Sequence, residues 1–400
     1  MRARGLLRLV WYSVVAFSLT ACASMPRDPV TPELEDQVSV IEKVQVRYWG
    51  DRSPDNMSAL AAEKWAQVKS SRPALVRAGG RPQISFLAIS GGGSDGAFGA
   101  GLLVGWTARG NRPEFDIVTG VSTGALTAPF AFLGPRYDPA LRDVYTNYST
   151  DQLVTKHPIR GLLGGEALAS NAPLAGVIAR YVNSEFLAEV AHEHARGRRL
   201  LIGTTNLDAQ RPVVWDMGRI ASSGDPSALQ LFRNVLLASA AIPGLFPPVY
   251  VQVQAGGQAR EEMHVDGGTT NQVFLLPTQV SAGGIDAKLG INPVRRLYII
   301  RNGRLDPEYK AVKASTLAIA GRSISTLIKT QGIGDLYQMY EFARRNRIEY
   351  NLAFIPGSFS DTSTEAFDRK YMSSLFDLGF QLGKSGRPWT KTPPRLGSPS

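Results

Sequence analysis

Residues 115–133 read FDIVTGVSTGALTAPFAFL, and this stretch decides the fold. Phe115–Thr119 is a short apolar run that predicts a buried strand, and Ala125–Leu133 predicts an apolar helix. Between them lies Gly120-Val121-Ser122-Thr123-Gly124, a Gly-x-Ser-x-Gly motif placed at a strand-to-helix turn, as a nucleophile elbow requires. The helix N-terminus behind Ser122 favours developing negative charge. Ser122 is therefore the candidate nucleophile, and the alternative is a tight glycine turn with a capping serine.

A second glycine-rich turn precedes the first. The apolar run Ile84–Ile89 predicts a strand that leads into Ser90-Gly91-Gly92-Gly93-Ser94-Asp95-Gly96, followed by a helix over Ala97–Thr107. Consecutive glycines expose backbone N–H groups, which suits a phosphate or an oxyanion equally well. The turn also matches the dinucleotide fingerprint, which needs an acid at the end of the next strand. Glu114 and Asp116 instead come at its start, so a dinucleotide site fits poorly.

The rest of the chain alternates between strand and helix patterns. Further strands are expected at 200–205, 213–215, 264–265, 297–301 and 350–354, and helices at 31–46, 55–69, 173–181, 186–195, 227–241 and 315–346. This alternation predicts an α/β layered fold with a mostly parallel central sheet. We expect a signal segment at 1–22, a tether and helical extension at 23–80, a main domain at 81–355, and a C-terminal helix with a disordered tail at 356–400.

One acidic residue follows a strand candidate and precedes two glycines. Asp266 stands in His264-Val265-Asp266-Gly267-Gly268, and such a loop can closely approach another loop, although Asp-Gly is also a common turn pair. His264 would share its strand face with Asp266 and is the alternative partner for a nucleophile. However, a Ser–His–Asp triad with histidine last is the usual α/β-hydrolase order, and that order fails here.

The order of these motifs is more specific than any one of them. A glycine-rich loop, the Gly-x-Ser-x-Gly elbow, the segment LLASAAIPGLFPPV at 236–249 and then Asp-Gly-Gly together resemble the patatin-like phospholipase family, from about residue 84 to 279. Thr204–Leu207 also resembles a strand end of that family. In one position the chain departs from the pattern: the family often has Arg or Lys where this chain has Asp95.

The resemblance implies a three-layer α/β/α fold and a lipid acyl hydrolase with a Ser–Asp dyad and no histidine. By motif match, Ser122 is the nucleophile and Asp266 the base, and the backbone of Gly91, Gly92 and Gly93 forms the oxyanion hole. A phospholipid or another acyl ester would be the substrate. The alternative is a catalytically silent envelope lipoprotein that uses the fold to bind lipid.

The N-terminus has the pattern of an export signal. Basic residues up to Leu9 precede an apolar run of about 11 residues, too short to span a bilayer and typical of a signal peptide. It ends in Leu19-Thr20-Ala21-Cys22, which resembles the lipobox of bacterial lipoproteins. We therefore expect cleavage before Cys22, acylation of Cys22, and a protein anchored in the bacterial cell envelope, at the outer membrane facing the periplasm. Ordinary secretion after a small-x-small site is the alternative.

Composition excludes several classes of protein. The 400 residues carry 44 basic and 34 acidic side chains, for a formal net charge of +10. Many of the excess positive charges lie in the signal segment and the tail, so no nucleic-acid-binding face is indicated. A single cysteine excludes a disulfide framework and cysteine-clustered metal sites. His192-Glu193-His194 lacks the spacing of a zinc helix, so we expect no metal and no cofactor. No pattern indicates an oligomeric state.

Overall fold

The computed structural model of the chain describes residues 27–76, 81–156, 167–277, 279–363 and 365–394. The expected signal peptide and lipobox, with Cys22, lie outside these residues. Within the described ranges, no helix combines the length and the apolar character needed to cross a membrane.

The strands are numbered in chain order over the described residues. They are β1 (Arg47–Trp49), β2 (Gln83–Ile89), β3 (Ile117–Val121), β4 (Thr155–Lys156), β5 (Ala169–Ser170), β6 (Arg199–Asn206), β7 (Arg211–Asp216), β8 (Val249–Ala255), β9 (Gln258–Asp266), β10 (Val294–Arg301) and β11 (Ile348–Phe354).

The α-helices are numbered in the same way. They are α1 (Met57–Ser71), α2 (Gly96–Arg109), α3 (Thr123–Leu133), α4 (Asp138–Thr146), α5 (Thr150–Leu153), α6 (Ala172–Tyr181), α7 (Ser184–Ala195), α8 (Met217–Ala221), α9 (Ala228–Ser239), α10 (Ala282–Leu289), α11 (Thr316–Arg345) and α12 (Arg369–Ser385).

The described strands form one nine-stranded mixed sheet and a separate β4–β5 pair. The order along the main sheet is β1-β7-β6-β3-β2-β10-β11, and the β8–β9 hairpin joins it through β9 beside β6. Strands β6, β3, β2, β10 and β11 run parallel, whereas β7 and β9 are antiparallel to β6. The expected mostly parallel central sheet is therefore confirmed.

Helices cover both faces of the sheet, which gives the three layers of an α/β/α fold. Successive side chains of β2 point to opposite faces. Leu87 and Ile89 join a core with α2, α3 and α9, whereas Phe86 and Ala88 join a second core with α11. Because the parallel strands end at the same edge, the loops after β2, β3 and β10 meet there. Ile89 pairs with Gly120, and Ile300 with Ile89.

Two terminal segments differ from the sequence expectation. Residues 31–46 do not form the expected helix, since only Pro32–Gln37 makes a 3-10 turn. Ser39 instead exchanges backbone hydrogen bonds of 2.9 and 2.8 Å with Gln254 of β8, because an extended segment can pair with the exposed hairpin. Part of the expected disordered tail is also placed on the fold, as far as residue 394. Thr390 pairs with Leu352, and the Trp389 ring centroid lies 4.9 Å from that of Trp106.

The C-terminal helix α12 packs against α2 through glycines on both helices. A Cβ atom added to Gly101 or Gly105 would overlap the backbone carbonyl of Phe376 or Phe380, respectively. Gly379 and Gly383 of α12 approach the backbone of α2 just as closely. The two backbones are therefore in direct contact, which only glycine permits. Helix α12 thus fixes the helix that follows the glycine-rich loop.

Candidate active site

Ser122 lies at the turn between β3 and α3, with φ 56° and ψ −125°. A non-glycine residue rarely adopts such angles, and the strain is typical of a nucleophile elbow. The turn is tight because a Cβ at Gly120 would overlap the Gly124 carbonyl, and one at Gly124 would overlap the Ile89 carbonyl. Only 4% of Ser122 is exposed. The flanking glycines are therefore required by the packing of the turn.

Asp266 is the last residue of β9, and its backbone amide donates to the Ala241 carbonyl at 2.9 Å. Its Oδ1 accepts a 2.7 Å hydrogen bond from the Gly268 amide. Its Oδ2 is buried and has no hydrogen bond of ordinary geometry with any described residue. The Ser122 hydroxyl nevertheless lies close enough to stabilise the charged carboxylate. The structure thus brings together the two residues singled out from the sequence.

Burial makes Asp266 a stronger base than an ordinary carboxylate. Burial raises the pKa of Asp266 to about 6, against the opposing effect of the nearby Ser122 hydroxyl and of the hydrogen bond from the Gly268 amide. A carboxyl group with this pKa is still mostly ionised at neutral pH. It also accepts a proton more readily than a solvated aspartate, whose pKa is about 3.9. The unpaired Oδ2 is the atom that can take the proton.

Ser239, at the end of α9, holds the nucleophile turn in place. Its hydroxyl accepts a 3.0 Å hydrogen bond from the Ser122 amide and donates a 2.6 Å bond to the Gly203 carbonyl. The Ser239 side chain is completely buried. Ser239 lies in the small-residue segment at 236–249, and no local signal in the sequence indicates this role.

The glycine-rich loop presents two free amides rather than three. The sequence assigned Gly91, Gly92 and Gly93 to the oxyanion hole, but the Gly91 amide donates to the Gln272 carbonyl at 3.0 Å. Gly91 is therefore occupied, and its α-carbon packs against Ser122, whose Cβ would lie 3.1 Å from a Cβ at Gly91. Neither the Gly92 nor the Gly93 amide has a hydrogen-bond partner among the described residues. Gly93 has a left-handed φ of 56° and open space beside it.

Polar residues at the C-terminal end of β10 and directly after it hold this loop in place. The Asn302 amide donates to Ser90 Oγ at 2.8 Å, and Asn302 Nδ2 donates to the Ser90 carbonyl at 2.9 Å. Arg301 Nη1 lies 3.3 Å from both Ser90 Oγ and Gln272 Oε1. The sequence predicted only a strand at 297–301. Arg301 adds a buried positive charge close to a loop that lacks its own basic residue.

Asp95 cannot supply the positive charge that a basic side chain would bring to this position of the loop. Its Oδ1 accepts a 2.7 Å hydrogen bond from the Tyr371 hydroxyl of α12. Burial raises the pKa of Asp95 to about 6. Asp95 therefore links the glycine-rich loop to the C-terminal helix.

An apolar pocket opens beside Ser122. Its volume is about 70 Å³, and Gly93 and Ser122 line it together with side chains from α3, α6 and α9. Its apolar walls include Leu126, Phe130, Leu174, Ile178 and Phe246. Such a pocket suits the first carbons of an acyl chain whose carbonyl carbon lies at Ser122.

His264 is not positioned as a third catalytic residue. Its Nδ1 lies 3.0 Å from Thr204 Oγ1 and its Nε2 lies 3.1 Å from Glu262 Oε2. Both ring nitrogens are thus engaged away from Ser122, and burial lowers the pKa of His264. A Ser–His–Asp triad through His264 does not fit this geometry.

The motif His192-Glu193-His194 also lacks the geometry of a metal site. His194 is buried, with its Nδ1 3.6 Å from Asp216 Oδ1, and burial lowers the pKa of His194 to about 4. Over the described parts of the chain, no three His, Cys, Asp or Glu side chains gather in a group that could hold a metal ion. His157 lies outside the described residues.

The family-model comparison agrees with the order of the motifs. The family model of the patatin-like phospholipases matches residues 87–278. No curated protein matches the sequence. Among solved structures, VipD from Legionella pneumophila is similar with 11% identity and a TM-score of 0.38, over 76% of this chain and 67% of that chain. Human GIVD cytosolic phospholipase A2 is similar with 10% identity and a TM-score of 0.28, over 72% of this chain and 54% of that chain. The matched residues, which include Ser122 and Asp266, belong to the patatin-like phospholipase family.

Proposed function

We propose that the protein is a serine acyl hydrolase that cleaves phospholipids or related acyl esters with a Ser122–Asp266 dyad. The observation that carries the proposal is the strained, buried Ser122 beside the buried Asp266, at the mouth of an apolar pocket. The membership of residues 87–278 in the phospholipase family supports the same chemistry.

Acylation begins when Ser122 Oγ attacks the ester carbonyl carbon while Asp266 takes the hydroxyl proton. The carbonyl oxygen becomes an oxyanion, and the amides of Gly92 and Gly93, which have no partner among the described residues, would donate hydrogen bonds to it. One such donor typically contributes about 3–4 kcal/mol to the stability of the transition state. The alcohol then leaves with the proton from Asp266, and Ser122 carries the acyl group.

In deacylation Asp266 again accepts a proton, this time from water, and then passes it on to Ser122 Oγ. A water molecule gives a proton to Asp266 and attacks the acyl carbonyl carbon, and the same two amides stabilise the second oxyanion. The fatty acid leaves, and the proton on Asp266 returns to Ser122 Oγ. No metal or cofactor takes part in these steps.

The proposed location is the bacterial cell envelope. Acylation of Cys22 would anchor the protein, and the Pro-rich residues after it would let the domain stand away from the membrane surface. The substrate would then be a lipid of the membrane to which the enzyme is attached.

The second candidate is a silent lipoprotein that binds lipid in the same pocket. The empty volume beside Ser122 is compatible with binding alone, whereas the strained serine and the basic aspartate favour hydrolysis. Release of fatty acid from phospholipid vesicles and of dye from a soluble ester should be measured for the wild type and for Ser122→Ala. Turnover that Ser122→Ala removes supports the hydrolase, and vesicle binding without turnover by either protein supports the silent lipoprotein.

A further inference from the structure

A second, larger cavity lies on the opposite face of the sheet from the Ser122 pocket. Its volume is about 400 Å³, within the range of about 300–1,000 Å³ that is typical of ligand sites. It lies between the sheet and helices α1, α10 and α11. No step of the proposed hydrolysis uses it.

Most of the cavity wall is apolar. The wall side chains from the sheet and the helices include Leu60, Phe86, Ile117, Leu201, Met339 and Phe342. Both Arg199 and Gly203 line the cavity, and they lie four positions apart along β6, or about 13 Å. The shape therefore suits an extended hydrocarbon chain better than a compact polar molecule.

The end of the cavity near Arg199 is polar and offers donors that have no acceptor. Lys64 of α1 and Tyr48 of β1 both line the cavity. The Tyr48 hydroxyl is buried and has no hydrogen-bond partner among the described residues. No acidic side chain among the described residues lies within ion-pair distance of Lys64. Asp116, the acid that attracts it, forms a 3.0 Å ion pair with Arg72.

The other charges around this end already have partners. Arg199 and Arg219 share Glu63 and Asp216. Elsewhere on the wall Asp286 pairs with Arg295, Asp51 pairs with Arg211, and Asp335 accepts the amides of Gln272 and Val273. Among the described residues of the wall, Lys64 is thus the cation without an ion-pair partner, so this end of the cavity is complementary to a negatively charged head group.

Both donors keep their protons at neutral pH. Burial lowers the pKa of Lys64 to about 8, which leaves most of the amine charged. Burial raises the pKa of Tyr48 to about 12, which keeps its hydroxyl protonated.

We propose that this cavity binds a fatty acid, with the carboxylate on Lys64 Nζ and the Tyr48 hydroxyl and the chain along β2, β3 and β6. The ligand would fill an apolar space and pair the unpartnered ammonium and hydroxyl groups at once. This site is separate from the dyad, and the proposal stands whether or not the protein hydrolyses lipids.

Photolabelling can locate the ligand. Full-length protein in vesicles would be irradiated with palmitic acid carrying a diazirine near its methyl end, and the labelled peptides identified by mass spectrometry. We expect label on peptides from α1, β6 and α11. Unlabelled palmitic acid should compete at least ten times better than the alcohol of the same chain length.

Matched variants separate this cavity from the pocket at Ser122. Lys64→Met should lower labelling of α1 and β6 about tenfold, and Lys64→Arg should restore most of it. Ala61→Trp should fill the cavity and remove this label, whereas Leu126→Trp, which blocks the pocket beside Ser122, should leave it unchanged. Label confined to peptides from α3, α6 and α9, equal labelling of Lys64→Met and wild type, or no label at all would overturn the proposal.

Discussion

The Ser239 hydroxyl lies 3.0 Å from the Ser122 amide and accepts its hydrogen bond, while it donates to the Gly203 carbonyl at 2.6 Å. One buried side chain thus joins the end of α9, the nucleophile turn and β6. Because Asp266 pairs with Thr204, the next residue of β6, Ser239 also connects the nucleophile to the strand that holds the base.

Ser239→Ala should therefore reduce turnover more than substrate binding. The change leaves a buried amide and a buried carbonyl without this partner, which should cost about 1–3 kcal/mol of stability. We expect kcat to fall at least tenfold with little change in KM. Ser222→Ala is the control, because the Ser222 hydroxyl, just after α8, donates only to the Gly218 carbonyl of that helix. A folded Ser239→Ala enzyme with normal kcat would contradict the positioning role.

Asp266→Asn should remove activity about as completely as Ser122→Ala. The two residues act as one unit, so the double variant should be no worse than either single variant. Initial rates on a soluble dye ester would test this. If Asp266→Asn retained more than about a tenth of the wild-type rate, Asp266 would not be the base.

His264→Gln should cost roughly tenfold in kcat or less, because His264 contacts Thr204 and Glu262 rather than the dyad. Loss of a general base usually costs about 10²–10⁴-fold. Rates should be compared after circular dichroism has shown that the variant is folded. A thousandfold loss in the folded variant would assign the base to His264.

The pH profile should report the titration of Asp266. Because burial raises its pKa to about 6, kcat/KM should fall about tenfold per pH unit below that value, where the base is protonated. The same acid limb should persist in His264→Gln. Its disappearance from that variant would show that the histidine titrates instead.

Asp266→Asn should also stabilise the fold at alkaline pH. A carboxyl pKa raised from 3.8 to about 6 in the folded protein means that the folded state binds the proton more tightly. Stability therefore falls as the pH rises from about 4 to 6 and then stays constant. Asparagine avoids this cost of up to roughly 3 kcal/mol. Urea unfolding should show a gain at pH 8 that nearly vanishes at pH 4, and equal stability of the two proteins at pH 8 would exclude the desolvated carboxylate.

The elements around Ser122 could be predicted because their signals are local. The strand, the glycine turn and the helix follow one another in the chain, and the structure has them as β3 and α3. Strand β8 was missed although VYVQVQA at 249–255 alternates apolar and polar residues, which is the pattern of a half-buried strand. Ser239, Arg301 and the occupied amide of Gly91 could not be predicted, since each depends on groups that meet only after folding.

The proposed anchor calls for a separate test outside the described residues. Cys22→Ser should abolish incorporation of a fatty-acid probe, because Cys22 is the sole acylation site that the lipobox offers. Several acyl chains anchor a protein firmly, whereas one holds it weakly. Labelling that survived the substitution, or a mature N-terminus at Ser24, would contradict the lipoprotein proposal.

The glycine contacts between α2 and α12 have a consequence for the timing of synthesis. Helix α2 carries the loop with Gly92 and Gly93 on its N-terminal side, and its partner α12 is made only after nearly all of the domain. A chain still on the ribosome, with residues up to Leu133 already folded, lacks the helix that holds this loop through Tyr371 and the glycine crossing. The loop that carries Gly92 and Gly93 should therefore be held in place only after α12 has been synthesised and has packed against α2.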